Sequence, residues 1–182
     1  AYPMELTVTS DHVWMVADNN DAVIITANVT YGTGELAGQP LEGANVSLAV
    51  GSPWQLKNTL LQTDNRGIAT TTLLATKVSG TANITVTASA QILTETWGYL
   101  TYTMTKNLTQ PIDHNGPSSM TTYYEGQVQV RTATPITVLL RDKYGNPVDD
   151  RNVVETVKFD ASSRGISGFQ SGGSWEKSIT VP

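Results

Sequence analysis

Two histidines, sixteen carboxylates and no cysteine are what this chain of 182 residues offers to acid–base, nucleophilic or metal chemistry. His12 and His114 stand more than half the chain apart, and no G-x-S-x-G or related elbow supplies a serine nucleophile. A hydrolytic triad needs its histidine within hydrogen-bond reach of both nucleophile and acid, so both histidines are read as ordinary surface or loop residues. Carboxylates cluster at Asp18/Asp21 and at Asp142/Asp149/Asp150. A calcium site wants six to eight oxygens, and neither cluster has EF-hand spacing. Aspartate also recurs in turns because its side chain hydrogen-bonds the backbone two residues on, and that reading is carried forward here. No feature favours a glycosidase pair of acids. Without cysteine there is no disulfide, thiolate metal site or thiol nucleophile. The expectation is a chain with no catalytic residue, no cofactor and no bound metal.

Two residue classes remain, suited to recognition and to modification. Trp14, Trp54, Trp97 and Trp175, with the pair Tyr123-Tyr124, have faces that stack on sugar rings or on a protein partner. The competing reading packs one tryptophan in a core and leaves the others at junctions between modules. Four Asn-x-Ser/Thr sequons begin at Asn28, Asn45, Asn83 and Asn107, each a candidate N-glycosylation site. Asn28, Asn45 and Asn83 fall at outward positions of their strands, where a glycan leaves the core undisturbed. Unmodified polar residues occupy such positions as well.

The elements that carry these residues are strands. Apolar residues alternate with polar ones: Val23, Ile25, Ala27 and Val29; Ala44, Val46, Leu48 and Val50; Ala82, Ile84, Val86 and Ala88. Period two marks half-buried strands of an antiparallel sheet, and no window sustains a 3.6-residue stripe. About one residue in seven is threonine, whose branched β-carbon favours strands. Turn residues recur every ~8–12 positions, the spacing of a sandwich: Asp18–Asp21, Gly38-Gln39-Pro40, Thr63–Gly67, Val78–Gly80 and Asp142–Pro147. Further strands are expected at Gln127–Arg131, Ile136–Arg141, Val153–Phe159 and Ser178–Val181. The net charge of −5, with eleven scattered basic residues, argues against a nucleic-acid partner. No run approaches the ~18 apolar residues of a membrane helix, so no direct membrane insertion is expected. Ala1-Tyr2-Pro3 has no basic or apolar leader and fits a mature end after signal cleavage or a cut within a longer chain.

In order and spacing these turns resemble the bacterial immunoglobulin-like group 1 family, the repeat of invasin and intimin. The matching residues are Ala17-Asp18 with Asp21, Gly38 with Pro40 and Leu41, Thr63-Asp64 with Gly67, and Gly80 with Ile84, Val86 and Ala88. They cover residues ~5–90; Gly145-Asn146-Pro147-Val148 repeats part of the pattern over 135–160. The linker and second module are also similar to repeats in large surface proteins of methanogenic archaea. The segment Gly34–Gly38 departs from the family by lengthening a loop, and Gln91–Lys106 goes beyond a minimal module. The resemblance implies an all-β chain of immunoglobulin-like antiparallel β-sandwich modules in tandem. Residues 1–106 form the first module with a C-terminal extension, 107–119 a linker rich in Pro, Asn, Gly and Ser, and 120–182 a second, incomplete module. Family members are spacers, stalks or binding tips, so fold alone leaves function open. The expectation is a non-catalytic structural module of a cell-surface or secreted protein, with adjacent modules or neighbouring subunits as partners. The alternative is an adhesin module taking a carbohydrate or protein ligand.

Overall fold

The computed structural model describes residues 1–123, 135–149, 156–160, 169–171, 174–176 and 178–181. The chain divides into two compact units, Ala1–Asp113 and His114–Pro182.

The first unit is built from β1 (Met4–Ser10), β2 (Met15–Val16), β3 (Ala22–Tyr31), β4 (Asn45–Val50), β5 (Gln55–Leu56), β6 (Leu60–Gln62), β7 (Ile68–Leu74), β8 (Gly80–Thr94) and β9 (Gly98–Asp113). One sheet runs β1-β3-β7-β5 and the other β2-β9-β8-β4-β6. Every pairing in them is antiparallel except β2 with β9. Their inner faces meet in one core. Val23, Ile25, Ala27 and Val29 come from β3, Val46 and Leu48 from β4, and Ala82, Ile84, Val86 and Ala88 from β8; all are buried. These are the residues that period two places inward. A slip of one position on any of these strands would turn its whole set to water.

The turn Thr63–Gly67 closes one end. Asp64 accepts backbone N–H groups of Arg66 and Ile68 at 2.9 Å each, and the buried Thr63 hydroxyl donates to the Leu41 carbonyl at 2.6 Å. Gly67 has φ +73°, and a β-carbon there would strike the Val29 carbonyl oxygen. Any other residue is therefore penalised twice, by conformation and by collision.

The extension and linker expected at 91–106 and 107–119 are corrected. β8 and β9 form one hairpin paired without a break from Gly80↔Ile112 to Thr94↔Gly98. Residues 107–113 complete β9, with Gln110 and Ile112 buried. Residues 117–119 open a further strand. A sandwich ending near residue 90 would lose the partner of β8 and the cover that Ile112 gives the core.

The second unit contains β10 (Pro117–Tyr123), β11 (Thr137–Asp142), β12 (Val157–Asp160), β13 (Phe169–Ser171), β14 (Ser174–Glu176) and β15 (Ser178–Val181). β10 pairs with β11, β12 with β15, and β13 with β14, all antiparallel. β11 and β15 lie where alternation placed them, β12 sits at the end of its expected span, and β13 and β14 fall in a Gly/Ser-rich stretch with no strand signal. The expected strand Gln127–Arg131 lies outside the described residues.

One turn recurs in the two units. Tyr31 N–H donates to Gln39 O (3.0 Å), Gly38 to Tyr31 O (2.7 Å) and Leu41 to Val29 O (3.0 Å). In the second unit Asp142 donates to Asn146 O (2.9 Å), Gly145 to Asp142 O (3.0 Å) and Val148 to Leu140 O (3.0 Å). Both glycines are left-handed, φ 81° and 86°, and bridges Thr30↔Pro40 and Arg141↔Pro147 coincide. β10–β11 thus repeats β1–β3. Its turn lacks the insertion that lengthens the loop before Gly38.

Two outcomes test this architecture. Residues 1–113 are expected to unfold in a single cooperative transition by circular dichroism, whereas 1–90 shows none; equal cooperativity of the two would refute the role of β9. Gly67→Ala should destabilise the first unit by at least about 2 kcal/mol in denaturant titration. Gly34→Ala, also at positive φ but facing open space, should cost about 1 kcal/mol.

Candidate functional site

The first unit presents a projecting tip and a broad sheet face. β4 pairs with β8 no further than Ser89, so beyond it β8 and β9 have each other as partners. The tip carries Leu93, Trp97 and Tyr99, which are 64%, 77% and 68% exposed. Leu93 lies opposite Tyr99, so period two puts both on the outward face beside the turn that bears Trp97. Behind them the Tyr2 ring meets Tyr102 edge-on, centroids 5.7 Å apart, and its hydroxyl donates to Thr103 O at 2.7 Å. The tip therefore stands at the pole where the chain enters the sandwich. No alternation pattern pointed to the Tyr2 anchor, because it joins residues 101 positions apart.

The other tryptophans are placed differently. Trp54 packs over Gly80, filling the space a β-carbon there would need, and its indole N–H donates to Val78 O at 3.3 Å. Trp14 is 36% exposed. Trp175 lies in β14 and Tyr123 in β10, while Tyr124 lies outside the described residues.

All four sequon asparagines are exposed. Asn28 is on β3, in the four-stranded sheet. Asn45, Asn83 and Asn107 are on β4, β8 and β9, side by side in the five-stranded sheet.

The carboxylate clusters serve the backbone. Asp18 accepts N–H groups of Asn20 and Asp21 (2.8 and 2.6 Å). Asp21 accepts those of Val16 and Ala22 at 2.9 Å each. Asp142 is buried and takes five donors: Tyr144 N–H, Asn146 N–H and side-chain amide, and Asn115 N–H and side-chain amide, at 2.8–3.3 Å. Burial alone would raise its pKa; the hydrogen bonds from Asn146, Asn115 and Tyr144 outweigh it and hold the carboxyl down at about 2. Asp149 approaches His114 instead, and Asp150 lies outside the described residues. Among the described residues no group of three or more His, Asp or Glu is placed to hold a metal ion.

The histidines belong to different units. His12 is exposed and pairs with Asp11 at 2.9 Å; that hydrogen bond is the main cause of a lowered Asp11 pKa. His114 is a buried loop residue. Its Nδ1 lies 2.6 Å from Asn115 O and its Nε2 2.8 Å from Asp149 O. A ring held between two carbonyl oxygens closes a loop.

The first unit is an all-β immunoglobulin-like sandwich of two sheets. A crystal structure of invasin, described as a bacterial integrin-binding protein, is similar over 96% of this chain at 15% identity and a TM-score of 0.57, and 33% of that structure is covered. The D00–D0 domains of intimin align over 57% of this chain and 45% of theirs at 20% identity and a TM-score of 0.41. The D0–D1 domains align over 57% and 46% at 17% and 0.39. What is shared with invasin at this identity is the fold, and the chain spans less than half of each of these structures. No protein-family profile and no curated protein matches it.

Because the folded Asp142 pKa lies below the usual 3.8, its stabilisation is fully present above pH ~4 and is lost as pH falls towards 2. Asp142→Ala should destabilise the second unit by about 2 kcal/mol at pH 7. The difference from wild type should vanish by pH ~2, as read by amide hydrogen exchange of β10 and β11.

Proposed function

We propose that this chain is a non-catalytic structural segment of a cell-surface or secreted protein, part of an extracellular stalk, coat or filament. The observation that carries this reading is the similarity to invasin, which covers 96% of this chain at a TM-score of 0.57, together with the turn after β11 that matches the turn after β3. Among the described residues Asp18, Asp21, Asp142 and His114 are engaged in turns and loop closures, which fits a structural role. Partners on this reading are adjacent immunoglobulin-like modules or neighbouring subunits. The tip at the chain-entry pole fits such a neighbour, because a module joined ahead of Tyr2 would meet Leu93, Trp97 and Tyr99.

We further propose that the second unit takes additional strands from outside residues 120–182, either from the same polypeptide or from a neighbouring subunit. In the first unit β3 lies between β1 and β7, and β4 between β6 and β8. Their counterparts β11 and β12 have one partner each among the described residues. Val138 and Leu140 are half-buried, whereas Ala27 and Val29 at the matching positions are fully buried.

The same tip favours one second reading, an adhesin surface for a carbohydrate or protein. Exposed aromatic faces beside neutral polar residues such as Gln91 and Thr101 suit sugar stacking and protein docking alike.

Limited proteolysis of intact source cells, followed by detection of peptides from residues 1–113, tests the location: release is expected, and full protection would overturn the surface reading. The double variant Trp97→Ala/Tyr99→Ala separates the two roles. A structural junction predicts altered protease sensitivity at the start of the unit, with cell attachment unchanged. An adhesin tip predicts attachment reduced by tenfold or more.

A further inference from the structure

The outward face of the five-stranded sheet carries no charge on its three long strands. β4 contributes Asn45, Ser47 and Ala49. Across the β8–β9 seam the outward pairs are Asn83↔Thr109, Thr85↔Asn107, Thr87↔Thr105, Ser89↔Thr103 and Gln91↔Thr101. Hydroxyl groups meet along it, Thr87 with Thr105 at 3.1 Å and Thr103 with Ser89 at 3.4 Å. Soluble surfaces ordinarily place charges at about a quarter or more of their positions. This face is polar and neutral, so a bulky neutral group can cover it without desolvating a charge.

Three of the four sequons lie on it, two of them interlocked. Asn83 faces Thr109 of the second sequon, and Asn107 faces Thr85 of the first. Cross-strand diagonals put the two asparagines ~7–8 Å apart. Neither amide has a hydrogen-bond partner among the described residues, whereas the Asn45 side chain accepts from Gln62 Nε2 at 3.0 Å. Asn28 is on the other sheet.

We infer that Asn83 and Asn107 carry N-linked glycans, which cover the outer face of the five-stranded sheet. In the transfer, the asparagine amide nitrogen displaces the diphosphate from C1 of a lipid-diphosphate-linked oligosaccharide. An N–C1 bond forms, the C1–O bond breaks, the lipid diphosphate leaves, and the amide proton passes to a base of the transferase. The inference rests on the surface reading, since the donor and transferase act on exported chains. A face covered in this way is closed to docking, so ligand contacts fall to the tip.

The test is peptide mass spectrometry on protein isolated from its natural cells, with the fraction of origin recorded. Hexose- or hexosamine-containing adducts are expected at Asn83 and Asn107. Thr85→Val should remove the Asn83 glycan alone and Thr109→Val the Asn107 glycan alone, even though each threonine lies across from the other asparagine. Loss of neither glycan in Thr85→Val and Thr109→Val would mean the adducts are not sequon-directed N-glycans and would overturn the inference. Unmodified Asn83 and Asn107 in protein recovered from the cell surface would overturn it too, leaving the surface reading intact. Recovery solely from the cytosol would remove both. As a second measurement, secretion of the chain from a host that N-glycosylates should add two glycan masses at these positions, and Asn83→Gln/Asn107→Gln should lose both.

Discussion

One antiparallel seam organises the first unit. β8 is hydrogen-bonded along its whole length of 15 residues to β9, and from Ile84 to Ser89 to β4 as well. Period two along that seam does two jobs at once. It turns Ala82, Ile84, Val86 and Ala88 into the core and lays Asn83, Thr85, Thr87 and Ser89 against the matching residues of β9 on the outside. Core and outer face are therefore set by one register, and a shift that spoiled one would spoil the other. The seam also runs past the sandwich, and that overrun creates the aromatic tip.

The second unit shows what the same local sequence does with fewer neighbours. Gly145-Asn146-Pro147-Val148 folds as Gly38-Gln39-Pro40-Leu41 does, down to the same hydrogen bonds and left-handed glycine. This turn is encoded locally. The burial that accompanies it in the first unit is not: Leu41 is covered by the Thr63–Gly67 turn arriving from another part of the sheet. Val148 is half-buried, with no such turn over it among the described residues. A turn can form by itself, but a core residue needs its partners to arrive.

That difference explains what was legible in the sequence. Alternation located β3, β4 and β8 and named their inward residues correctly, because every second side chain there is aliphatic. Asp64 and Gly67 were readable as a turn because their roles are local. The strand nature of residues 107–113 was hidden by Pro111 and the polar residues around it. The structure accommodates them because β2 reaches only Ile112 and Asp113, leaving Pro111 on an edge stretch where a missing N–H costs little. The surroundings of His114 and Asp142 were hidden for another reason. Their environments come from Asp149 and Asn115, across loops that sequence spacing does not close. The exposure of Trp97 against the packing of Trp54 was likewise undecidable, since the two differ in what folds over them and not in residue type.

The polarity of the strands has a mechanical consequence. The chain enters the first unit beside Tyr2 at one pole, while β9 runs parallel to β2 and leaves through Asp113 at the other. Tension applied between these ends would pull β2 and β9 past each other along their length, and β1 would slide along β3 in the same way. The hydrogen bonds of each ladder then bear the load in shear, all together, instead of parting one by one as in an unzipped hairpin. Forced unfolding is governed by the unfolding rate, and a geometry in which many bonds must fail at once slows that rate. Such a unit would stand being stretched better than its modest apolar core suggests.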